Sequence, residues 1–427
     1  MTRIPRIAFA LVSVMASCRS ASPPNESTPV PAVAGTGAPV GSSVQPGRAA
    51  GTGGAGQVAS AGTPARAAAA GGGAGVAATK TETASVSTPP ISDEDSDAGT
   101  PEQPSTSTTP ACTTNAYVSN SDSNTVSVID TTTNRVVATV ATDTAPVNPT
   151  FTPDRQHVYV ANSQSNTISI IDVQTNAVTS ISARGERPSG LAFLPDGKKL
   201  IVTLLGETVS TPGSAVIITL ESGEASPVIP LGAQPERIAL MPDGSRAYIS
   251  NLGDGTMSVL DVAQGSITST FMLGNLPFNP LISPDGQTLY VDVMLDNHIA
   301  VISTTTNEIT NTIPVDSPNG LAFSLDFNSL YVTSAFAGTV EEISIATGMI
   351  TRTATVGGLP GHIGVSNDGS HAYFVRPDGT TVEVLDIKSW MTGTPITVQS
   401  VPSTIATCHA VDDSAARIRA RARCSRE

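Results

Sequence analysis

Tyr117-Val-Ser-Asn120, followed by Ser123-Asn-Thr-Val-Ser-Val-Ile-Asp130, is the stretch whose reading decides the fold. An aromatic strand start, a polar break and a second run of alternating β-branched residues ending in aspartate make one hairpin. The hairpin then recurs. Tyr159-Val-Ala-Asn162 leads to Thr167-Ile-Ser-Ile-Ile-Asp172, and Tyr248-Ile-Ser-Asn251 leads to Thr256-Met-Ser-Val-Leu-Asp261. Looser copies start at Ile201, Tyr290, Tyr331 and Tyr373. They make seven in all, about 42 residues apart except after Ile201, where the spacing stretches to about 47. That period is the length of a four-stranded propeller blade. The chain therefore reads as all-β, a seven-bladed β-propeller with four-stranded antiparallel blades.

Local signals supply the remaining strands. One unit runs from its proline, Pro188-Ser-Gly-Leu-Ala-Phe193, through Asp196-Gly197 to a second strand. Asp-Gly recurs at 243–244, 285–286 and 368–369, giving the positive φ a tight turn needs. The aspartate closing each third strand (Asp130, Asp172, Asp261) suits a backbone-capping role, and its recurrence once per blade argues against a metal ligand. The first repeat enters at its second strand, while Pro402-Ser-Thr-Ile-Ala-Thr-Cys408 reads like the proline-led strand it lacks. The C-terminus is thus expected to complete the first blade and hide an open sheet edge. That places Cys112 beside Cys408, a disulfide across a loop of about 300 residues, with Cys408–Cys424 as the competing pair.

These strings resemble the YVTN β-propeller repeat, known from microbial surface-layer and related exported proteins, over the whole of 112–413. Blades three and five depart from the pattern, ending the third strand in Leu220 and Ser303. The resemblance implies seven blades and a shape shared with lactonase-like enzymes. It implies no activity.

Four segments follow. Residues 1–17 read as an export signal, with Arg3 and Arg6 before a short apolar run, and Met15-Ala-Ser-Cys18 resembles a lipoprotein lipobox. Cleavage by ordinary signal peptidase is the alternative. A lipidated Cys18 would anchor the chain to a membrane, and Arg19 in place of aspartate points by analogy to the outer membrane. Residues 18–111, rich in Ala, Gly, Pro, Ser and Thr, lack the large apolar side chains a core needs and are expected to form a disordered tether. The propeller spans 112–413. A basic tail, 414–427, carries Arg417, Arg419, Arg421, Arg423 and Arg426. The formal charge of −14, or about −16 without Arg3 and Arg6, argues against nucleic-acid binding.

No Cys-x-x-Cys-His, His-x-x-x-His, Gly-x-Ser-x-Gly or phosphate-cradling loop occurs, and there is one tryptophan, Trp390. Neither catalytic residues, a cofactor nor a metal site is assigned. The best place for a site is the channel mouth. Counting two residues past each blade proline gives Asn148, Gly190, Arg237, Asn279, Gly320, His362 and Thr404, with mostly small residues two positions further on. Asn148, Arg237, Asn279 and His362 are the expected ligand-binding set, suited to an anionic or carbonyl-bearing ligand, or simply wetted by channel water. Glu186-Arg187 and Glu236-Arg237 also read as exposed loop charges or a recognition rim. Asp296 and His298 are too few for a metal, and the loop 206–214 reads as an insertion or a partner contact. The function expected is a monomeric, non-enzymatic binding scaffold of the bacterial cell envelope. Its partner would be a protein, polysaccharide or small ligand. Alternatives are a lactonase- or lyase-like enzyme using the channel mouth, and a structural envelope component.

Overall fold

The computed structural model describes residues 113–408, and within them the ring is complete. The segments assigned to the signal, Cys18, the tether, Cys112 and the basic tail lie outside the described residues. Seven antiparallel sheets follow one another around the ring. Blade two shows the pattern: Pro146–Phe151 innermost, then His157–Asn162, Thr167–Asp172 and Val178–Ser182 outermost. Blades four, five and six repeat it from Pro235, Pro277 and Pro318. Innermost strands of successive blades touch one another, so they line a central channel.

Blade one takes its innermost strand, Pro402–Thr407, from the far end of the chain, and pairs it antiparallel with Asn115–Asn120. The expected closure is therefore present. Blades three and seven have interrupted outer strands, Glu224–Ala225 with Ile229–Ala233, and Met391–Thr392 with Ile396–Thr397. Pro227 and Pro395, at the interruptions, cannot donate to a ladder.

The third strands do not alternate between core and solvent. In Thr125–Asp130 all four central residues are buried. Alternation sorts them between two interfaces instead. Tyr117, Val126 and Val128 pack with Val158, Val160 and Ile171 of blade two. Ala116, Val118 and Ile129 pack with Tyr373, Val375 and Val382 of blade seven. Each blade is covered on both faces by its neighbours, as the repeat architecture demands.

The repeated polar letters also have structural jobs. Asn120 Nδ2 donates to Thr125 Oγ1 (3.1 Å) and Ser127 Oγ (3.0 Å). Asn162 and Asn251 repeat this bond pair with Thr167 and Ser169, and with Thr256 and Ser258. Asp130 accepts from Thr132 N–H (2.8 Å), Asp172 from Thr175 N–H (2.7 Å) and Asp261 from Gln264 N–H (2.8 Å), which is the capping role expected of them. The glycines of the Asp-Gly turns, Gly197, Gly244, Gly286 and Gly369, all have φ near +70° (70°, 74°, 71° and 70°).

One recurring feature carries strain. Ala145, Arg187, Gln234, Leu276, Ser317 and Val401, each just before a blade proline, are left-handed, with φ between 47° and 57°. Such positions cost on the order of 1–3 kcal/mol each unless held. All six carbonyls accept a backbone N–H from the turn after their own blade's second strand, Ser163 N–H to Ala145 O (3.0 Å) among them. Asn124, Asn166 and Asn297 add side-chain bonds to the N–H of Ala145, Arg187 and Ser317 in the next blade.

Cys408, at the end of the closing strand, is disulfide-bonded, and its partner lies outside the described residues. If that partner is Cys112, removing either cysteine should destabilise the ring by about 2–5 kcal/mol. Cys112→Ser, Cys408→Ser and the double variant should then unfold at the same denaturant concentration, with Cys424→Ser unchanged. Loss of stability in Cys424→Ser instead would assign the bridge to the tail.

Candidate functional site at the channel mouth

All innermost strands enter from the same face. In most of them the pairing register breaks between the blade proline and the second or third residue after it, and in blade two one residue later, a bulge that turns the local side chain out of the ladder. The positions two past the proline therefore form a ring at one height. The Asn148 backbone N–H donates to Thr404 Oγ1 of blade one (2.8 Å), and its Nδ2 donates to Ser189 O of blade three (3.2 Å). Thr404 Oγ1 lies 2.7 Å from Ser119 Oγ. Gly190 is glycine because a Cβ there would collide with the Glu236 carbonyl of the next blade.

Arg237 lies within electrostatic reach of His362, and Asn279 bonds a carboxylate that Arg237 also feels. A fourth group, unforeseen, joins them. Asp292, on the second strand of blade five, is fully buried. It accepts from Asn279 through the backbone N–H and through Nδ2, the latter at 2.7 Å. Burial pushes its carboxyl up to about 7, against the opposing pull of the Asn279 bonds and the Arg237 charge. Burial lowers the Arg237 guanidinium, with Glu236 and Asp292 acting the other way, and the cation stands 5.5 Å over the Phe278 ring. His362 is held well below the usual histidine range, by burial first and by Arg237 second.

Glu236 and Arg237 are accordingly not loop charges. They lie on the innermost strand Pro235–Leu240 and are half-buried, and burial raises the Glu236 carboxyl. Arg187, by contrast, donates to the Gly206 carbonyl, and Gln234 Nε2 donates to Thr208 O (2.8 Å). The loop 206–214 is thus tied back onto the ring. Asp296 accepts from Asn275 N–H and Nδ2 (both 2.8 Å), and His298 Nδ1 lies 3.2 Å from the Asp296 carbonyl, so this pair shapes a turn.

The four expected residues share one further property. Asn148 Oδ1, Asn279 Oδ1, Arg237 Nε and His362 Nδ1 are buried and have no protein partner. In both asparagines the amide N–H₂ is already committed, to Ser189 and to Asp292, which fixes the oxygen as the open atom. The Ile405 backbone favours the charged ring and opposes burial only in part, and His362 Nδ1 is an open nitrogen of the ring. A cleft of about 610 Å³ opens elsewhere, at the seam of blades seven and one beside the interruption at Pro395. Its aspartate, Asp386, caps the Ser389 turn, and its histidine, His371, lies 2.6 Å from Ser370 Oγ.

Comparison with known proteins agrees on the fold. A family model described as YNCE-like β-propeller matches residues 97–206, consistent with the YVTN-type resemblance. No curated protein matches the chain. Among solved structures, a functionally unknown protein from Desulfotomaculum acetoxidans is 17% identical with a TM-score of 0.60, covering 70% of this chain and 99% of that one. A periplasmic gluconolactonase from Pseudomonas aeruginosa is also 17% identical, with a TM-score of 0.58, covering 68% and 98%. Hydrazine synthase from Kuenenia stuttgartiensis is 20% identical, with a TM-score of 0.56, covering 64% and 92%. At these identities the likeness is one of architecture.

Asp292 sets a testable pH dependence. Its proton is held more tightly in the folded chain than in the unfolded one, where a pKa of ~3.9 applies. It therefore favours folding fully below that value, and this contribution is lost as pH rises through about 7. Asp292→Asn should become more stable relative to the wild type between about pH 5 and pH 8, by at most about 4 kcal/mol. Urea unfolding across that range measures it. A pH-independent difference would mean that Asp292 does not titrate there.

Proposed function

We propose that this protein is a non-enzymatic binding scaffold of the bacterial cell envelope, held at the outer membrane through Cys18, and that its channel mouth receives a neutral, hydroxyl-rich ligand such as the end of a saccharide. The ring's unused polar atoms carry this reading: Asn148 Oδ1, Asn279 Oδ1 and His362 Nδ1, with Arg237 Nε, are closed to solvent as they stand, so a ligand would engage them by shifting the side chains around them. Leaving such groups unbonded costs about 1–3 kcal/mol each, so the mouth favours a molecule that brings several O–H donors.

The anionic ligand expected from Arg237 and His362 is less well served. The imidazole is neutral, and Arg237 already faces Glu236 and Asp292. The rim adds apolar surface. Met272, Leu295 and Phe336 are 66%, 41% and 53% exposed. They lie at the outer-strand end of blade four and in the second-to-third strand turns of blades five and six, on the face where the innermost strands begin.

Thermal unfolding of the full-length protein tests this, with neutral mono- and disaccharides set against small carboxylates and a sugar lactone. A neutral saccharide should raise Tm with concentration, and the response should vanish in Asn279→Ala and His362→Leu. A response to carboxylates alone would restore the anionic reading. Hydrolysis of the lactone that depends on His362 would establish an enzyme, and no response to any sugar would remove the mouth from consideration.

A further inference from the structure

The ring provides its own set of comparisons at one position, the junction of the second and third strands beneath the mouth. In blades one, two and four an asparagine there bonds a threonine and a serine. In blade five the same places hold Val293 and Ala300, both buried and apolar. Blade seven substitutes an ion pair. Arg376 Nε donates to Glu383 Oε1 (3.3 Å), and its Nη2 donates to Val356 O (2.7 Å) while Nη1 donates to Gly357 O. Blade seven thus places a cation in this pocket and satisfies it with a carboxylate and two carbonyls.

Blade six has the carboxylate without the cation. Glu341 stands where Glu383 stands, and Ser334 replaces Arg376. Glu341 is 7% exposed and Ser334 is fully buried. Glu341 Oε1 accepts from Thr339 Oγ1 (3.1 Å), but Glu341 Oε2 and Ser334 Oγ have no partner at all. The asparagine geometry of blades one, two and four shows that a side chain at the Ser334 position reaches both the Thr339 and the Glu341 positions. Val315 and Asp316 stand where Val356 and Gly357 present carbonyls to Arg376: Val315 N–H bonds to Asn297 O (3.1 Å) as Val356 N–H bonds to Gly338 O (2.8 Å). The Asp316 charge acts on Glu341 in addition, and with burial it pushes that carboxyl up.

We propose that blade six binds a hard metal cation of the calcium type in this pocket, held by Glu341, Ser334 and Thr339 and completed from Asp316 and the Val315 carbonyl. All the donors are oxygen, which selects hard cations over zinc or copper. The metal takes the place that the Arg376 guanidinium fills one blade further on. A single buried carboxylate and an exposed approach through Asp316 describe a weak, exchangeable site.

Thermal unfolding of the full-length protein in chelator and in graded CaCl₂ tests the assignment. Calcium should raise Tm progressively, magnesium should do so less, and the calcium response should be lost in Glu341→Gln. A second variant, Ser334→Asn with Glu341→Ser, rebuilds the blade-one pattern and should fold, with its Tm independent of calcium. A wild-type Tm equal in chelator and calcium would overturn the proposal. A calcium response that survives Glu341→Gln would overturn it equally, by moving the binding to other carboxylates.

Discussion

The pairing of Pro402–Thr407 with Asn115–Asn120 is the contact on which the rest of this structure depends. A blade has two apolar faces and cannot cover either one alone. In blade one, Tyr117 and Val118 sit next to each other in sequence and belong to different cores, one shared with blade two and the other with blade seven. Only a closed ring covers both. Closure by a strand from the opposite end of the chain makes the first and last blades one folding problem, and the seam is reinforced where they meet. Tyr373 of blade seven donates its hydroxyl to Thr131 O (3.1 Å) and Asn134 Oδ1 (2.6 Å) of blade one. Ser119 of blade one meets Thr404 of the returning strand. A disulfide at Cys408 stands at the end of this strand, where strand separation would begin.

Closure brings the innermost strands together, and the second strands hold them there. Thr203, Ser250 and Thr333 donate their hydroxyls to the carbonyls of Glu236, Phe278 and Gly361 in the next blade, at 3.4, 2.9 and 2.8 Å. Asp292 occupies this position in blade five, and the corresponding carbonyl in blade six is that of Asn319. A carboxylate cannot donate to a carbonyl, but a carboxylic acid can. The raised proton affinity of Asp292 is thus consistent with the place it takes in the ring. Burial and position act in the same direction.

The architecture was legible in the sequence because each blade solves the same local problems with the same letters. Asp-Gly at 196–197 marks a turn with positive φ, the asparagine ending Tyr117-Val-Ser-Asn120 fixes the third strand, and the blade proline marks the innermost one. Counting from that proline also found Arg237 and His362, which lie about 125 residues apart in sequence. The same counting missed Asp292, because its strand was read only as an apolar run, Tyr290-Val-Asp. Two signals pointed to it: aspartate stands where four of the other six blades carry Ser119, Thr203, Ser250 and Thr333, and its strand pairs with the innermost strand bearing Asn279. Glu236 was misread because a charged pair before an apolar run looks like a loop, whereas a channel lets charges sit on a central strand. Glu341 was invisible for a related reason. Thr-Val-Glu-Glu-Ile-Ser fits the alternating pattern, and only comparison with Arg376 and Glu383 shows that its counter-charge is missing.

Chemistry at the mouth is decided by where the donors already point. Hydrolysis of an ester or lactone places negative charge on the substrate's carbonyl oxygen, and catalysis needs preorganised donors aimed at it. Here the Asn279 amide donates to Asp292 and the Asn148 amide to Ser189, while His362 Nδ1 has no partner. The open atoms left on the two amides are lone pairs, which would repel a developing oxyanion. A neutral His362, kept from protonating by burial and by Arg237, supplies no positive charge of its own, which leaves the Arg237 guanidinium as the cation of the mouth. A fold shared with a gluconolactonase does not by itself bring a reaction with it, since architecture sets the channel while the residues that line it set the chemistry. Those amides favour a ligand that arrives with its own protons, and this is the physical basis for reading the mouth as a place of binding.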